Sequence, residues 1–129
     1  MRIFIFKKRR LHLRTKRRRS KKAHYLSHKE LALEIAKTRI AYFNQFYGFK
    51  VNKIFIKNQK TRWGSCSKKG NLNFNYRIAT LPEAMQDYII IHELCHLGEF
   101  NHSKNFWKLV AKTIPDYKNI KRQFKGLRL

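Results

Sequence analysis

The sequence predicts an α+β fold, in which a small antiparallel sheet packs against a buried helix that carries a histidine motif, with further helices flanking it. Three observations predict this fold. Two β-prone segments flank a turn signal at 68–71, the stretch 84–97 is apolar on nearly every side, and amphipathic stretches lie before and after them. With 129 residues, 43% of them hydrophobic, the chain is long enough for one core without disulfide bonds.

The first amphipathic helix is predicted from about residue 28 to residue 47. Ser27 and Glu30 have the spacing of a capping box, in which the serine side chain and the glutamate satisfy backbone N–H groups at a helix start. Apolar residues then recur at helical intervals, and Gly48 supplies a C-terminal stop.

A basic arm precedes this helix. Residues 7–22 hold 11 of the 31 Lys and Arg and no acid, and the formal net charge of the chain is +24. We therefore divide the chain into an arm, 1–22, and a folded domain, 23–129. Within the arm, Ile3–Phe6 is β-prone and Leu11–Leu13 is a candidate second strand. The charge favours polyanions such as nucleic acid, although a solvated basic tail explains it equally well.

The sheet is predicted from three segments, 51–58, 62–67 and 72–79, the last two joined by a hairpin turn containing Gly70. The last segment alternates, so one of its faces is expected in the core and the other in solvent. The predicted core face has Leu72, Phe74, Tyr76 and Ile78, and the predicted polar face has Asn71, Asn73, Asn75 and Arg77.

The central helix is predicted to begin at a capping box of Thr80 and Glu83 and to end at Gly98. Because nearly every side of 84–97 is apolar, this helix and its histidines belong in the interior. Two shorter helices are expected after it, one beginning near Ser103 and ending before Pro115, the other capped by Asp116.

His92 and His96 on this helix are candidate metal ligands. Residues four apart differ by about 40° around a helix and about 6 Å along it, so both imidazoles can converge on one ion. Glu93 lies beside them without being a ligand, where its carboxylate can take a proton from a metal-bound water. This H-E-x-x-H spacing is typical of zinc hydrolases, and we expect Zn²⁺ as the cofactor.

The third ligand has two candidates, Glu99 and His102. Glu99 is in phase with His92 and His96, but on a straight helix it lies about 10 Å from His92 along the axis, too far to share one tetrahedral ion. A break at Gly98 would let the chain reverse and bring His102 across the metal. We therefore favour His102.

The two cysteines, Cys66 and Cys95, are too few for a disulfide framework. A thiol inside the histidine motif has to stay reduced, so we expect a cytoplasmic protein. No apolar run approaches the roughly 20 residues of a membrane helix, and the first six residues are too short for a signal peptide.

Several separated segments of the chain recur in the order found in a known family: Thr61–Ser67, Gly70–Asn75, Pro82, Asp87-Tyr88, His92–Leu97, Asn101–Ser103 and Phe106-Trp107. Through these segments the chain resembles the YgjP-like zinc metallopeptidases, which are related to the SprT-type peptidases. The resemblance runs from about Ser27 to Lys121 and excludes the arm. It implies a zincin-like α+β domain with zinc on His92, His96 and His102, Glu93 as general base, and a peptide held along a sheet edge by either 60–67 or 71–79.

Zinc-dependent hydrolysis of a protein or peptide substrate is therefore the predicted function, with nucleic acid as a further partner through the arm. A metal-dependent endoribonuclease is an alternative, because a bacterial rRNA-maturation family has three histidines at the same offsets, with glycine in the place of Glu93. A nucleic-acid-binding protein with a structural zinc is another, although structural sites usually have four protein ligands. The sequence does not indicate an oligomeric state.

Overall fold

A computed structural model of the protein describes the backbone of residues 2–127 and 129, and the side chains of 14–127 and 129. The described chain is an α+β fold with four α-helices and a three-stranded sheet, which confirms the predicted class. The elements are α1 (Arg2–Asn44), β1 (Ile54–Lys57), β2 (Gly64–Cys66), β3 (Leu72–Asn75), a 3₁₀ helix (Tyr76–Thr80), α2 (Glu83–Cys95), α3 (Lys104–Thr113) and α4 (Tyr117–Phe124).

The sheet has the strand order β1-β3-β2 and is mixed, not wholly antiparallel as predicted. β2 and β3 form the expected antiparallel hairpin, whose turn contains Gly70 at a φ of 84°. β1 pairs with the other edge of β3 in parallel, with Ile54 opposite Leu72. The central position of β3 leaves β2 with one edge free of strand pairing.

The third strand ends at Asn75, four residues earlier than predicted, and continues as the 3₁₀ helix. Asn75 causes the change, because its side chain accepts a hydrogen bond from the backbone N–H of Arg77 and donates to the carbonyls of Gln59 and Arg62, at 2.6 and 3.0 Å. Its predicted place on a polar solvent face was wrong, since Asn75 is fully buried. It holds the segment before β2 against the core.

Helix α1 begins at Arg2, far upstream of the predicted start at residue 28, and ends at Asn44. The strands predicted at Ile3–Phe6 and Leu11–Leu13 are therefore wrong, because the backbone of these residues is helical. No Gly or Pro interrupts residues 2–44, and Lys, Arg and Leu are good helix formers. The division of the chain at residue 22 is not marked by a break in the helix and stays a prediction.

Two predicted helix caps are also wrong. Ser27 is inside α1, where its hydroxyl donates to the carbonyl of His24 at 2.9 Å. Thr80 lies in the 3₁₀ helix and donates to the carbonyl of Arg77, while α2 begins after Pro82. The predicted cap at Ser103 is confirmed, since its hydroxyl accepts from the N–H of Phe106 at the start of α3.

Helix α2 is the centre of the core, as its apolar composition predicts. The C-terminal half of α1 packs on it, and Arg39 of α1 donates two hydrogen bonds of 2.6 Å to the carboxylate of Asp87 on α2. The fully buried side chains around α2 include Ile90, Ile91, Leu94, Cys95, Leu72, Phe74, Ile78, Phe106 and Val110. This packing fixes the orientation of the histidine-bearing face.

Candidate metal centre

The imidazoles of His92, His96 and His102 meet at the end of α2. The distance between the Nε2 atoms of His92 and His96 is 3.3 Å, and the Nε2 atom of His102 lies 3.1 Å from each of them. Of the two candidates for a third ligand, the described structure brings His102 to this cluster. The assignment of these three residues as metal ligands remains a prediction.

The turn after α2 reverses the chain and brings His102 next to His92 and His96. The backbone N–H groups of Gly98 and Glu99 both donate to the carbonyl of Cys95 at 3.0 Å, which ends the helix. A Cβ atom at Gly98 would lie only 2.7 Å from Cζ of Phe49, so the turn needs glycine for close packing. Phe106 of α3 then stacks on His96, with ring centroids 4.5 Å apart.

The spacing of the three nitrogen atoms fits a tetrahedral zinc ion. Zn–N bonds of about 2.0–2.1 Å at tetrahedral angles separate the ligand nitrogens by about 3.3–3.4 Å. The nitrogen atoms here are 3.1–3.3 Å apart. Nδ1 of His96 lies 3.0 Å from the carbonyl of Glu99, and a hydrogen bond there leaves the Nε2 lone pair of His96 free for a metal.

Burial favours the neutral forms of His92 and His96, and metal binding requires neutral imidazoles. Burial, followed by the neighbouring His96, His102 and Lys121, lowers the pKa of His92 to about 3. Burial also lowers the pKa of His96. Nδ1 of His92 is buried and has no hydrogen-bond partner among the described residues.

Glu93 lies beside the cluster, only 8% exposed, and packs over β2. A Cβ atom at Gly64 would lie 2.9 Å from Cγ of Glu93, so the carboxylate side chain occupies the space that a side chain at 64 would need. Burial raises the pKa of Glu93 to about 7, and the charge of Arg62 opposes this rise. A bound divalent cation would also oppose it, because a nearby positive charge favours the carboxylate.

A cleft of about 290 Å³ opens beside Glu93 and His92. The free edge strand β2 contributes Gly64 to one wall, so the cleft lies next to unpaired strand backbone. Its remaining lining is aromatic and apolar with one cation: Arg62, Trp63, Tyr88, Ile89 and Phe124. A small, mostly apolar cleft next to three imidazoles and a carboxylate suits the binding of one substrate side chain.

The other thiols and histidines lie apart from the three-imidazole cluster. Cys95 is buried in the core, and burial raises its pKa to about 11. Cys66 is half-buried on β2, and burial together with the charge of Glu93 raises its pKa to about 11. His24 and His28 lie on the outer surface of α1 next to Tyr76, and the side chain of His12 lies outside the described residues.

Sequence reasoning included Gly64 and Trp107 in the segments that match the family but did not predict their contacts at the site. Gly64 was not singled out, although a glycine inside a predicted strand indicates a close approach of another group. Trp107 lies with its ring centroid 6.0 Å from those of both His92 and His102, and Tyr117 stacks on its indole at 5.0 Å. No spacing rule connects these residues of α3 and α4 to the histidine motif.

Three imidazoles gathered on and after the central helix of an α+β domain place the protein in the class of zincin-like metallopeptidases. The chain belongs to the YgjP-like family, since the model of that family's metallopeptidase domain matches residues 5–126. The match begins inside the basic arm, so it is wider than the resemblance read from the motifs, which excluded the arm.

Two solved structures are similar to the chain, and both are described as metallopeptidase zymogens. Abylysin of Pyrococcus abyssi is 27% identical, with a TM-score of 0.64 over 71% of this chain and 94% of that chain. Jannalysin of Methanocaldococcus jannaschii is 24% identical, with a TM-score of 0.58 over 73% of this chain and 93% of that chain, and shows a shared fold. No curated protein matches the sequence.

Among the helices of the described residues, none has the length and apolar character needed to cross a membrane.

Proposed function

We propose that the protein hydrolyses peptide bonds with a zinc ion held by His92, His96 and His102 and with Glu93 as the general base. The observation that carries the proposal is the convergence of three Nε2 atoms to 3.1–3.3 Å of one another. Membership of a metallopeptidase family supports the same reaction. Three protein ligands leave one tetrahedral position for water or substrate, as catalytic zinc sites require.

A bound zinc ion supplies Lewis acidity, which lowers the pKa of water and polarises a carbonyl oxygen. The protein supplies the proton transfers. A carboxylate oxygen of Glu93 takes the proton of the attacking water and then delivers it to the leaving amine. Burial raises the pKa of Glu93 and so favours its taking a proton, whereas a bound cation would oppose the rise and favour its release.

The edge strand β2 is the proposed binding site for the peptide backbone. The alternative strand, β3, is paired on both edges and has no free backbone groups for an added strand. A peptide extended along β2 would pass Gly64 and therefore Glu93. A side chain next to the cleaved bond would then enter the cleft of Trp63 and Tyr88.

The two alternative functions have less support. An endoribonuclease would need no carboxylate at position 93, whereas here Glu93 is buried next to the imidazoles at the cost of a raised pKa. A purely structural zinc site would be closed by a fourth protein ligand. The metal-binding cluster among the described residues has three members.

The replacement Glu93→Gln tests the role of the carboxylate. We expect the variant to bind one zinc ion with unchanged affinity and to lose about 10²- to 10⁴-fold in the rate of peptide cleavage, the range that general-base catalysis contributes. Zinc content is measured by elemental analysis and cleavage by mass spectrometry of a peptide library. Glu34→Gln on the exposed surface of α1 is the control with the same change of charge.

Loss of zinc in Glu93→Gln, or undiminished cleavage, would remove Glu93 from the role of base. Cleavage of RNA but not of peptides would favour the endoribonuclease. Glu99→Gln should keep its zinc, because Glu99 approaches His96 through its backbone carbonyl. Loss of zinc in that variant would assign the third ligand to Glu99.

The basic arm is a proposed nucleic-acid contact. Residues 14–22 form a continuous, fully exposed stretch of α1 with seven Lys and Arg and no acid, a suitable surface for phosphates. Deletion of residues 1–22 should abolish binding of a duplex DNA or a structured RNA at about 0.1 M salt and leave zinc content unchanged. Equal binding by the shortened chain would contradict the proposal.

We also propose that the protein works in a reducing compartment, the cytoplasm. Both Cys66 and Cys95 are free thiols in the structure, and Cys95 immediately precedes a proposed zinc ligand.

A further inference from the structure

Helix α4 and Lys125, the residue that follows it, present four cations on one face. The residues are three, four and seven positions apart, which is the spacing of one side of a helix. They line a surface pocket of about 390 Å³, and two stacked aromatic rings complete its lining. The lining residues are Lys118, Lys121, Arg122, Lys125, Trp107 and Tyr117.

These cations have no acidic partner in the part of the chain that the structure describes. The ion pairs found there join Arg39 to Glu83 and Asp87, on α1 and α2. Arg122 is instead oriented by neutral groups, since its guanidinium donates to the side chain of Asn119 and, at 3.4 Å, to the carbonyl of Lys118. The pocket therefore contains four cations that form no ion pair among the described residues.

The pocket adjoins the three imidazoles. Nζ of Lys121 lies 4.3 Å from the centroid of the Trp107 ring, and Trp107 in turn stacks on His102 with centroids 6.0 Å apart. The ammonium group and the proposed metal ligand His102 therefore contact the same indole.

We propose that this basic pocket binds a carboxylate of the peptide substrate, within about two residues of the cleaved bond. The proposal rests on the peptidase function proposed above and specifies its substrate class as acidic peptides. An extended peptide advances about 3.3 Å per residue, so a substrate bound at the imidazoles reaches across one indole within about two residues. The carboxylate belongs either to an Asp or Glu side chain or to the C-terminus of the peptide.

The aromatic rings of the pocket favour a carboxylate over a nucleic acid. Single-stranded nucleic acids are bound by stacking their bases on open aromatic faces. Here the Trp107 ring stacks with Tyr117, at 5.0 Å and 13°, and with His102, at 6.0 Å and 25°, and Nζ of Lys121 lies 4.3 Å from its centroid. A base would have to displace these contacts to stack on the indole, whereas a carboxylate needs only the charges of the pocket.

The test uses the full-length, zinc-loaded protein and matched peptides. A peptide that the enzyme cleaves is synthesised with Glu or with Gln at each of the two positions on either side of the cleaved bond. A further pair ends one residue beyond that bond, with a free carboxylate or an amide. Values of kcat/KM are compared within each pair, and the Kd of each peptide is measured by calorimetry on Glu93→Gln.

We expect the carboxylate member of one pair to be cleaved about five- to tenfold faster and to bind more tightly, by an effect that falls as salt is raised. The pair that shows the preference distinguishes a side-chain carboxylate from a C-terminal one. The double substitution Lys118→Gln/Lys125→Gln should reduce the ratio to about twofold or less. It leaves Lys121 on Trp107 in place, so a change in the ratio does not arise from a disturbed metal centre.

The control is Lys37→Gln/Lys50→Gln, which removes the same charge from exposed lysines lining a different cavity, between α1 and β1. This variant should keep the full carboxylate preference. An equal loss in the control would show a nonspecific effect of net charge and would overturn the proposal. Equal cleavage and binding of both members of every pair would also overturn it.

Two outcomes distinguish a failure of the pocket proposal from a failure of the peptidase proposal. If no peptide is cleaved, the proposed function is contradicted. Kd values measured on Glu93→Gln for an unstructured peptide containing Glu and for the same peptide with Gln then still decide whether the pocket prefers a carboxylate. If a 12-nucleotide RNA binds more tightly than every acidic peptide, and Lys118→Gln/Lys125→Gln removes that binding, the pocket is a nucleic-acid surface and the carboxylate proposal is wrong.

Discussion

Gly64 shows how the absence of one side chain positions the carboxylate of Glu93. The residue is inside strand β2, and its backbone φ is not in the left-handed region, so conformational freedom is not the reason for glycine. The reason is space, because a Cβ atom would lie 2.9 Å from Cγ of Glu93 and 3.0 Å from the carbonyl oxygen of Asn73. The second contact is with backbone, which cannot move aside without disturbing the sheet.

We therefore expect Gly64→Ala to displace Glu93, to lower peptidase activity at least tenfold, and to cost about 1–3 kcal/mol of stability by overpacking. Zinc content should be unchanged, since no imidazole atom is among the three atoms nearest to the added Cβ. Activity assays, urea unfolding and elemental analysis measure the three quantities. Gly126→Ala is the control, because the nearest atom to its added Cβ would be 3.9 Å away. Full activity in Gly64→Ala would refute this role.

Tyr47 is a partly buried phenol that connects the end of α1 to α3. Its hydroxyl donates to the carbonyl of Leu109 at 2.6 Å and lies 2.7 Å from Oγ1 of Thr113. Burial is the main cause of a pKa raised well above the ordinary value of about 10. The folded protein therefore holds this proton more tightly than the unfolded chain does.

The stability that Tyr47 contributes is fully present below about pH 10 and is lost as the pH rises above it, because the unfolded chain releases the proton first. From pH 10 to 11 we expect the protein to lose about 1 kcal/mol more than Tyr47→Phe does, since one proton corresponds to about 1.4 kcal/mol per pH unit. Urea unfolding at both pH values measures this difference. Parallel losses in the two proteins would exclude Tyr47 as the titrating group.

At the scale of elements, the turn between α2 and α3 decides whether the third histidine reaches the other two. Two hydrogen bonds to the carbonyl of Cys95 end α2, and Gly98 lets the turn pack against Phe49. The sequence indicated a break at Gly98 but not its structural reason. Its φ is not in the left-handed region, so the requirement is again one of space.

Gly98→Ala should push the turn away from Phe49, whose Cζ would be 2.7 Å from the added Cβ. We expect a loss of about 1–3 kcal/mol in stability and a weaker affinity for zinc, because His102 moves with the turn. Competition with a chelating dye measures the affinity. A second substitution, Phe49→Leu, makes room for the methyl group and should restore part of the lost zinc affinity. An unchanged affinity in Gly98→Ala would show that the turn tolerates the methyl group.

The sheet and α1 show where local patterns were insufficient. The alternation from Leu72 to Ile78 correctly predicted the buried Leu72 and Phe74, but the chain leaves the sheet at Asn75. Hydrogen bonds from Asn75 to a segment 13 to 16 residues earlier cause this departure, and an alternation rule does not include such contacts. Similarly, Ser27 looks like a helix cap only if the helix is assumed to begin there.

At the scale of the whole molecule, the metal is expected to contribute to stability. Three imidazole nitrogens at 3.1–3.3 Å from one another direct lone pairs toward a common point, an arrangement that a cation stabilises. Zinc at about 100 times its Kd would add about 2.7 kcal/mol to the free energy of unfolding. For a domain of this size the melting temperature should fall by roughly 10 °C when the metal is removed.

Calorimetry of the protein with zinc and after treatment with a chelator measures this shift. His102→Ala is the control, because loss of one ligand should remove most of the difference between the two conditions. The unsubstituted protein should therefore melt at a higher temperature with one equivalent of zinc than after chelation. Equal melting temperatures in these two conditions would contradict the idea that the ion joins α2 to the following turn.

The sequence by itself determined the α+β class, the apolar helix in the centre, and the histidines and glutamate of its motif. These features follow from spacing along one helix, and helix geometry converts such spacing directly into positions in space. The tertiary structure decided which residues from other elements lie near that motif. Gly64 packs against Glu93, Trp107 contacts the imidazoles, and Lys121 of α4 contacts Trp107. Their positions depend on how separate elements pack, and contacts between residues distant in the chain leave no periodic signal in a single sequence.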